Sequence, residues 1–223
     1  MTVNKAFKYI VLTVSLLTGA GLVLAEEDEL CAAFKDGMVN ESLLATMLSA
    51  AHDGHLYRIQ QTSSQVGFCV DSKLSRVKGN FTDFLGGISL NPGDNDDGQT
   101  MVLIKAGSLD TGGSIIENML KSEKFFDVEH HPEVLFVSDG FEWTGPDTAV
   151  LKGNLTMRGI TKPVIFDVTL KALDAERVDQ AQKIVVNATT MINRADFGMD
   201  GLSALVSSDV HLCMSVEALK YQS

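Results

Sequence analysis

The sequence is poor in the features that mark nucleic-acid binders and the common enzyme classes. Its 223 residues contain 18 Lys and Arg against 29 Asp and Glu. The resulting formal net charge of −11 disfavours contact with phosphate backbones and anionic lipid surfaces. A Gly-x-Ser-x-Gly elbow, a paired-histidine zinc helix and a phosphate loop are all missing from the sequence, so we predict neither catalytic residues nor a nucleic-acid partner.

The composition is that of a folded globular protein, with 45% hydrophobic and 21% charged residues. Only one long uncharged run occurs, over residues 9–24, and it follows Lys5 and Lys8 and ends just before Ala25. This pattern is typical of a secretory signal peptide. We therefore predict that residues 1–25 are cleaved off and that the mature protein is periplasmic or secreted and soluble. The alternative is an N-terminal membrane anchor, for which the run is short.

After this segment, residues 26–56 are predicted to form a helical N-terminal extension. Asn40 is a suitable helix cap, and Asp53-Gly54 is a suitable helix end. Between them, apolar residues recur at helical spacing, at Leu44, Met47, Leu48 and Ala51.

From Tyr57 onward the apolar residues alternate with a period of two, which predicts β-strands. The clearest stretches are 65–71, 162–173 and 210–216, and the further candidates are 76–90, 101–106, 134–138, 149–157 and 184–190. Turn residues separate these stretches at Asn91-Pro92-Gly93, Asp139-Gly140 and Gly145-Pro146.

One helix is predicted to interrupt the strands, over Ser114–Lys124. Ser114 and Glu117 have the spacing of a capping box. Within the helix, Ile116 is four residues from Leu120, so the two side chains share one face. Phe125 and Phe126 follow directly.

About eight strands with one short helix predict a mainly β protein, an antiparallel barrel or sandwich. Its interior would be apolar, because the inward positions are rich in Phe, Val and Leu.

Three cysteines occur, Cys31, Cys69 and Cys213, so one disulfide leaves one thiol over. Cys69 and Cys213 both fall at the polar positions of their strand patterns. We favour a Cys31–Cys69 disulfide, with Cys69–Cys213 across neighbouring strands as the main rival. Cys69 is a poor candidate nucleophile, because its sequence neighbours are apolar.

The histidines do not predict a metal site. His52 and His55 flank a helix end, and His130 and His131 are adjacent, so that in a strand-like stretch their side chains would point apart. Zinc needs three or four convergent ligands. We predict no metal and no cofactor.

Ordered motifs carry a resemblance to a known family over residues 57–217. They are Ser64–Phe68, Gly79–Phe81, Phe125–Val128, Pro132, Phe136, Gly153, Leu155-Thr156, Gly159, Thr161, Pro163-Val164 and Asn193–Gly198. In this order they resemble the YceI-like family of exported, lipocalin-like, polyisoprenoid-binding proteins. The extension over 26–56, with Cys31, lies outside that pattern.

The resemblance implies an eight-stranded antiparallel lipocalin-like β-barrel over residues 57–223, holding an isoprenoid or another long-chain amphiphile such as a quinone or fatty-acid derivative. In such a barrel the predicted helix and the two phenylalanines after it would act either as a lid over one mouth or as a fixed plug. The candidate ligand-lining residues, for each of which solid core packing is the alternative interpretation, are Phe68, Val70, Phe81, Phe84, Ile116, Leu120, Phe125, Phe126, Phe136, Phe166, Val168, Phe197, Leu212 and Met214.

Two interpretations of Arg194 stay open: it meets the polar head group of the ligand, or it holds a turn with Asp196.

The family resemblance also admits a second function, in which the protein is a periplasmic accessory of a quinone-using membrane complex without a ligand of its own. Contact with such a complex would be transient. The sequence leaves the oligomeric state open, a homodimer included.

Overall fold

The computed structural model describes residues 41–90, 98–176 and 178–222. The predicted signal peptide, Cys31, the cap Asn40 and the predicted turn at Asn91-Pro92-Gly93 lie outside these ranges. The chain begins its described part with a helix and continues with eleven strands, one of which is only two residues long. The helices are α1, Glu41–His52, and α2, Ser114–Lys121. The strands are β1, Leu56–Ile59; β2, Gln65–Ser72; β3, Arg76–Phe81; β4, Phe84–Ser89; β5, Gln99–Lys105; β6, Leu109–Asp110; β7, Glu133–Trp143; β8, Thr148–Met157; β9, Ile160–Ala172; β10, Lys183–Asn193; and β11, Val206–Lys220.

Eight strands close into an antiparallel barrel. Their order is β1-β4-β5-β7-β8-β9-β10-β11, and β11 pairs with β1 to complete the ring. The predicted mainly β, eight-stranded antiparallel barrel is confirmed. Neither described helix is both long and apolar enough to span a bilayer.

The long strand β11 has two partners on one side. Its last residues pair with β1, and its first part, up to Ser215, pairs with β2. β3 then pairs with β2, and the short β6 pairs with β3. The region of β2, β3 and β6 therefore extends the barrel wall beyond the closed ring.

Two boundary predictions are wrong. The stretch 76–90 is not one strand, because the chain leaves the sheet at Thr82 and Asp83, whose backbone groups bond to Ser108 and Lys105 instead. Asp139-Gly140 is not a turn, because β7 continues through it to Trp143. The pairing with β8 shifts register between Ser138 and Gly140, so the glycine marks a β-bulge, where one extra residue bends a strand without ending it.

The helix α2 is also shorter than predicted. It ends at Lys121, and Gly113 rather than Ser114 is its N-cap, without a side-chain capping bond. The capping box therefore does not form, since Ser114 already lies inside the first turn. Beyond Lys121 the chain turns, with Phe126 N–H donating to the Leu120 carbonyl at 2.9 Å.

Candidate functional site

The barrel encloses an apolar cavity of about 90 Å³. Every side chain in its lining is apolar except that of Arg194. The lining residues are Val66, Gly67, Phe68, Val70, Phe81, Val102, Ile104, Leu120, Phe125, Phe126, Val134, Phe136, Leu155, Met157, Phe166, Ile192, Arg194, Met199, Val206, Val210, Leu212 and Met214.

Strand alternation explains why these residues face one another. Successive side chains of a strand point to opposite faces, so Phe68 and Val70 of β2 point inward while Cys69 points outward. On β11, Leu212 and Met214 point inward, and Leu212 lies directly opposite Phe68 in the pairing register. The β2–β11 pair thus forms one wall of the cavity.

One end of the cavity is covered by the last residues of α2 and the segment that follows it. Leu120, Phe125 and Phe126 from this segment all line the cavity. The ring of Phe126 lies 5.7 Å from that of Phe68 and 5.6 Å from that of Phe81, the second contact being edge-to-face. We call residues 120–131 the cap. It consists of a helix end and a turn rather than a strand, so strand pairing does not hold it in place.

Hydrogen bonds from outside the segment hold the cap. The guanidinium of Arg158, in the turn between β8 and β9, donates to the backbone carbonyls of Glu123 and Phe125. Arg158 has a φ of 53°, a left-handed conformation that non-glycine residues adopt uncommonly. The cap also contacts Gly201, where a Cβ would come within 2.8 Å of the Phe125 ring.

Within the cap, the buried carboxylate of Asp127 meets two histidines. Its oxygens lie 2.9 Å from Nδ1 of His130 and 3.9 Å from Nε2 of His131. The hydrogen bond with His130 lowers the pKa of Asp127, and the same bond raises the pKa of His130. The prediction that the adjacent histidines point apart is wrong, because they lie in a turn and not in a strand.

Arg194 lines the cavity and is buried, with 4% of its surface exposed. Its guanidinium donates to three backbone carbonyls, those of Met199, Val206 and Ser207. Burial is the main cause that lowers its pKa. Arg194 therefore holds the loop before β11 and the first residues of that strand, which agrees with a structural role. It does so by bonding to backbone carbonyls and not by pairing with Asp196. The described contacts include no bond from its guanidinium to Asp196.

Ten of the fourteen candidate residues line the cavity together. They are Phe68, Val70, Phe81, Leu120, Phe125, Phe126, Phe136, Phe166, Leu212 and Met214. The other four lie elsewhere. Ile116 is 38% exposed and does not border the cavity, although Leu120, one turn later on the same face of α2, is buried and does. Phe84, Val168 and Phe197 are buried but do not border the cavity, since the alternation that points a side chain inward does not distinguish filled from empty interior.

The sequence reasoning missed other lining residues whose signal was available. Val102 and Ile104 alternate in β5, and Leu155 and Met157 alternate in β8. Their inward positions follow from the same period of two. Met199 was not predictable in this way, because it lies in the loop that Arg194 holds.

Polar chemistry is sparse in the described part of the chain. No group of three or more His, Cys, Asp or Glu side chains there is arranged to hold a metal ion. Cys69 and Cys213 are free thiols in the structure. Cys31 lies outside the described residues, so the Cys31–Cys69 disulfide stays a prediction.

Comparison with known proteins adds sequence relatives. A family model described as the YceI-like domain matches residues 57–218. A UPF0312 protein of Pseudomonas putida is 34% identical over 156 residues, which cover 68% of this chain and 80% of the relative. A UPF0312 protein of Azotobacter vinelandii is 28% identical over 146 residues, covering 66% and 76%.

Solved structures share the barrel. The YCEI protein of Campylobacter jejuni superposes with a TM-score of 0.60 at 27% identity, covering 66% of this chain and 87% of its own. BcnA of Burkholderia cenocepacia superposes at 0.65 and 18% identity, covering 71% and 98%. A polyisoprenoid binding domain from Saccharophagus degradans superposes at 0.58 and 16% identity, covering 74% and 98%. At their low identities the last two show the fold alone.

Proposed function

Because the chain belongs to the YceI-like family, we propose that its barrel binds one long-chain apolar ligand of the polyisoprenoid class and carries it outside the cytoplasm. The ligand class is extended to this chain from the polyisoprenoid binding domain of Saccharophagus degradans, which has the same fold. On this proposal residues 1–25 direct export and are removed. The protein performs no covalent chemistry on its ligand.

The observation that carries the proposal is the cavity with its apolar lining, in which Arg194 is the single charged side chain among the described residues. Each CH₂ group that leaves water for such a site contributes about 0.8 kcal/mol. A tail of ten carbons therefore gains roughly 8 kcal/mol before the cost of ordering. Binding of a long tail needs no array of hydrogen bonds, which agrees with the lining.

The cavity has to widen when a ligand enters. Its volume of about 90 Å³ is below the roughly 300–1,000 Å³ of typical small-molecule sites. The cap is the element that moves in this proposal, because within the described residues it takes no part in strand pairing and is tied to the barrel by the side chain of Arg158 and by ring contacts. Three lining methionines, Met157, Met199 and Met214, add adaptable volume, since an unbranched thioether fills irregular space.

Arg194 is the candidate contact for a polar head group. Its guanidinium has five N–H donors in a fixed plane, and three of its nitrogen atoms already bond to carbonyls of the neighbouring loop. A phosphate or quinone oxygen at the cavity end of the guanidinium would use the remaining donor capacity. This role is added to the structural one and does not replace it.

The test is native mass spectrometry of the mature protein, before and after incubation with a polyprenol and with an isoprenoid quinone. Met214→Trp fills the cavity with a larger side chain, and Leu219→Trp is the matched control on the same strand, at an exposed position outside the lining. We expect one lipid per chain for the unmodified protein and the control, and at least a tenfold weaker uptake for Met214→Trp.

Two results would overturn the proposal. One is a protein that yields no lipid on extraction with organic solvent and takes none up on incubation. The other is equal uptake by Met214→Trp and Leu219→Trp, which would place the ligand elsewhere. A stable membrane partner recovered without lipid would favour the accessory function instead.

A further inference from the structure

The outer face of the cavity wall carries two cysteines side by side. Cys69 of β2 is paired with His211 of β11, and Cys213 of β11 is paired with Gly67 of β2. The two cysteines are therefore diagonal neighbours on one face of an antiparallel pair, where Cα atoms are about 7–8 Å apart. A disulfide between them draws the two strands together by about 1 Å, because bridged cysteines have Cα atoms about 4.4–6.8 Å apart. Cys213 is exposed and Cys69 is half-buried.

Two positively charged side chains of β3 lie beside this pair, although the chain as a whole is acidic. One of them, Arg76, also lies 3.5 Å from a carboxylate oxygen of Asp71. Nη2 of Arg76, on β3, donates to Sγ of Cys69 at 3.3 Å. Lys78, also on β3, is the direct cross-strand neighbour of Cys69. Reactive cysteines occur in electropositive, partly exposed surroundings of this kind, whereas structural cysteines are buried among apolar groups.

The two thiols are not equivalent. Cys69 accepts the hydrogen bond from the guanidinium of Arg76. The pKa of Cys213 lies above its ordinary value, because partial burial and then the neighbouring Cys69 disfavour charge on it. The sequence neighbours of Cys69 are apolar and argue against a nucleophile, but the fold places its sulfur against the guanidinium of Arg76 and next to Cys213. Cys69 is therefore placed to attack first, and Cys213 to resolve the product.

We propose that Cys69 and Cys213 form a thiol–disulfide exchange site whose substrates are small organic disulfides. The Cys69 thiolate attacks one sulfur of the substrate, forms a mixed disulfide and releases the first substrate thiol. The Cys213 sulfur then attacks Cys69, closes the Cys69–Cys213 bond and releases the second thiol. The protein loses two electrons and the substrate gains them, and the two cysteine protons end on the released thiols.

The site lies directly behind the cavity wall. Phe68 and Leu212, the residues next to the two cysteines, form a cross-strand pair whose side chains line the cavity. Closing the bond links the two strands that carry this wall. The exchange reaction requires no bound lipid, so it can be tested whether or not the cavity binds a ligand.

The test uses the reduced, mature protein and oxidised glutathione, followed by thiol titration and peptide mapping under non-reducing conditions. We expect two protein thiols to be lost per chain, two glutathione thiols to be released, and a peptide pair joined through Cys69 and Cys213. Cys213→Ser should stop at a mixed disulfide on Cys69. Cys31→Ser should leave the reaction unchanged.

Arg76→Gln tests the surroundings of the sulfur. We expect bond formation to slow by about three- to fivefold, the effect of one partly exposed charge contact. Lys171→Gln removes an exposed charge from β9, a strand that does not border β2, and should leave the rate unchanged. The proposal is overturned if both thiols stay free, if Cys69 is found joined to Cys31, or if the bond links two chains.

Discussion

The two ends of the barrel interior are built from the same kind of strand, yet they differ in how they are filled. At what we call the packed end, Ile59, Ala218 and Ile184 follow one another across β1, β11 and β10, and Leu170 lies beside them with 0% of its surface exposed. At the cavity end, Phe68, Phe81 and Phe126 meet as tilted and edge-to-face rings around open space.

The packed end is also closed by hydrogen bonds. The hydroxyl of Tyr57, which is 1% exposed, donates to the carbonyls of Val178 at 2.9 Å and Ala181 at 2.8 Å. The cavity end is closed by the cap, which hydrogen bonds from Arg158 and contact with Gly201 hold in place. One end is therefore part of the core, and the other is covered by a segment that takes no part in strand pairing.

The largest expected difference between the two ends is in the free energy of unfolding that is lost when a leucine is replaced by alanine. Leu170→Ala should lower the free energy of unfolding by about 2–5 kcal/mol, since it creates a void in a filled interior. Leu212→Ala should cost roughly 1–2 kcal/mol, because Leu212 is half-buried and already borders open space. Urea unfolding of both variants measures this. Equal costs would mean that the cavity end is packed as tightly as the other.

Removal of the buried guanidinium should have the next largest effect. Arg194→Ala leaves the carbonyls of Met199, Val206 and Ser207 without their donor, and we expect a loss of about 2–4 kcal/mol. Thermal unfolding and lipid uptake are measured together, with Arg194→Lys as the comparison. If Arg194→Ala melts earlier but binds lipid normally, Arg194 has no head-group role.

The smallest expected effect is the pH dependence of the cap. The pKa of Asp127 is lowered in the folded protein, so its ion pair adds to folding stability above pH 3.8, the ordinary pKa of the carboxyl. This stabilisation is lost as the pH falls through the pKa of the folded state. The pKa of His130 is raised in the folded protein, so its ion pair stabilises the fold fully below pH 6.5, the ordinary pKa of the imidazole. This stabilisation is lost as the pH rises through the pKa of the folded state. The pair therefore stabilises the cap most between pH 3.8 and 6.5.

Asp127→Asn and His130→Gln provide the measurement. Asparagine tolerates the left-handed backbone of residue 127, whose φ is 49°, so this change removes the charge without adding strain. The difference in melting temperature between each variant and the unmodified protein should be greatest within this window and should shrink above it. A difference that does not vary with pH would show that the contact is not an ion pair.

Much of the fold was predictable because strand alternation is a local property. The period of two in β2, β9 and β11 placed Phe68, Phe166 and Met214 on the inner face, and all three line the cavity. The errors arose where one residue type serves two structures. Asp139-Gly140 suits a turn and also a bulge, and Ser114 suits a cap and also a first helical turn.

By itself, the sequence determined the class of the fold and the apolar character of its interior, because both depend on residue types repeated along single strands. Only the tertiary structure decided where that interior is empty, since alternation points Phe136 and Val168 inward alike and only the first borders the cavity. It also decided that Cys69 and Cys213 are neighbours, because strand register joins positions far apart in the chain.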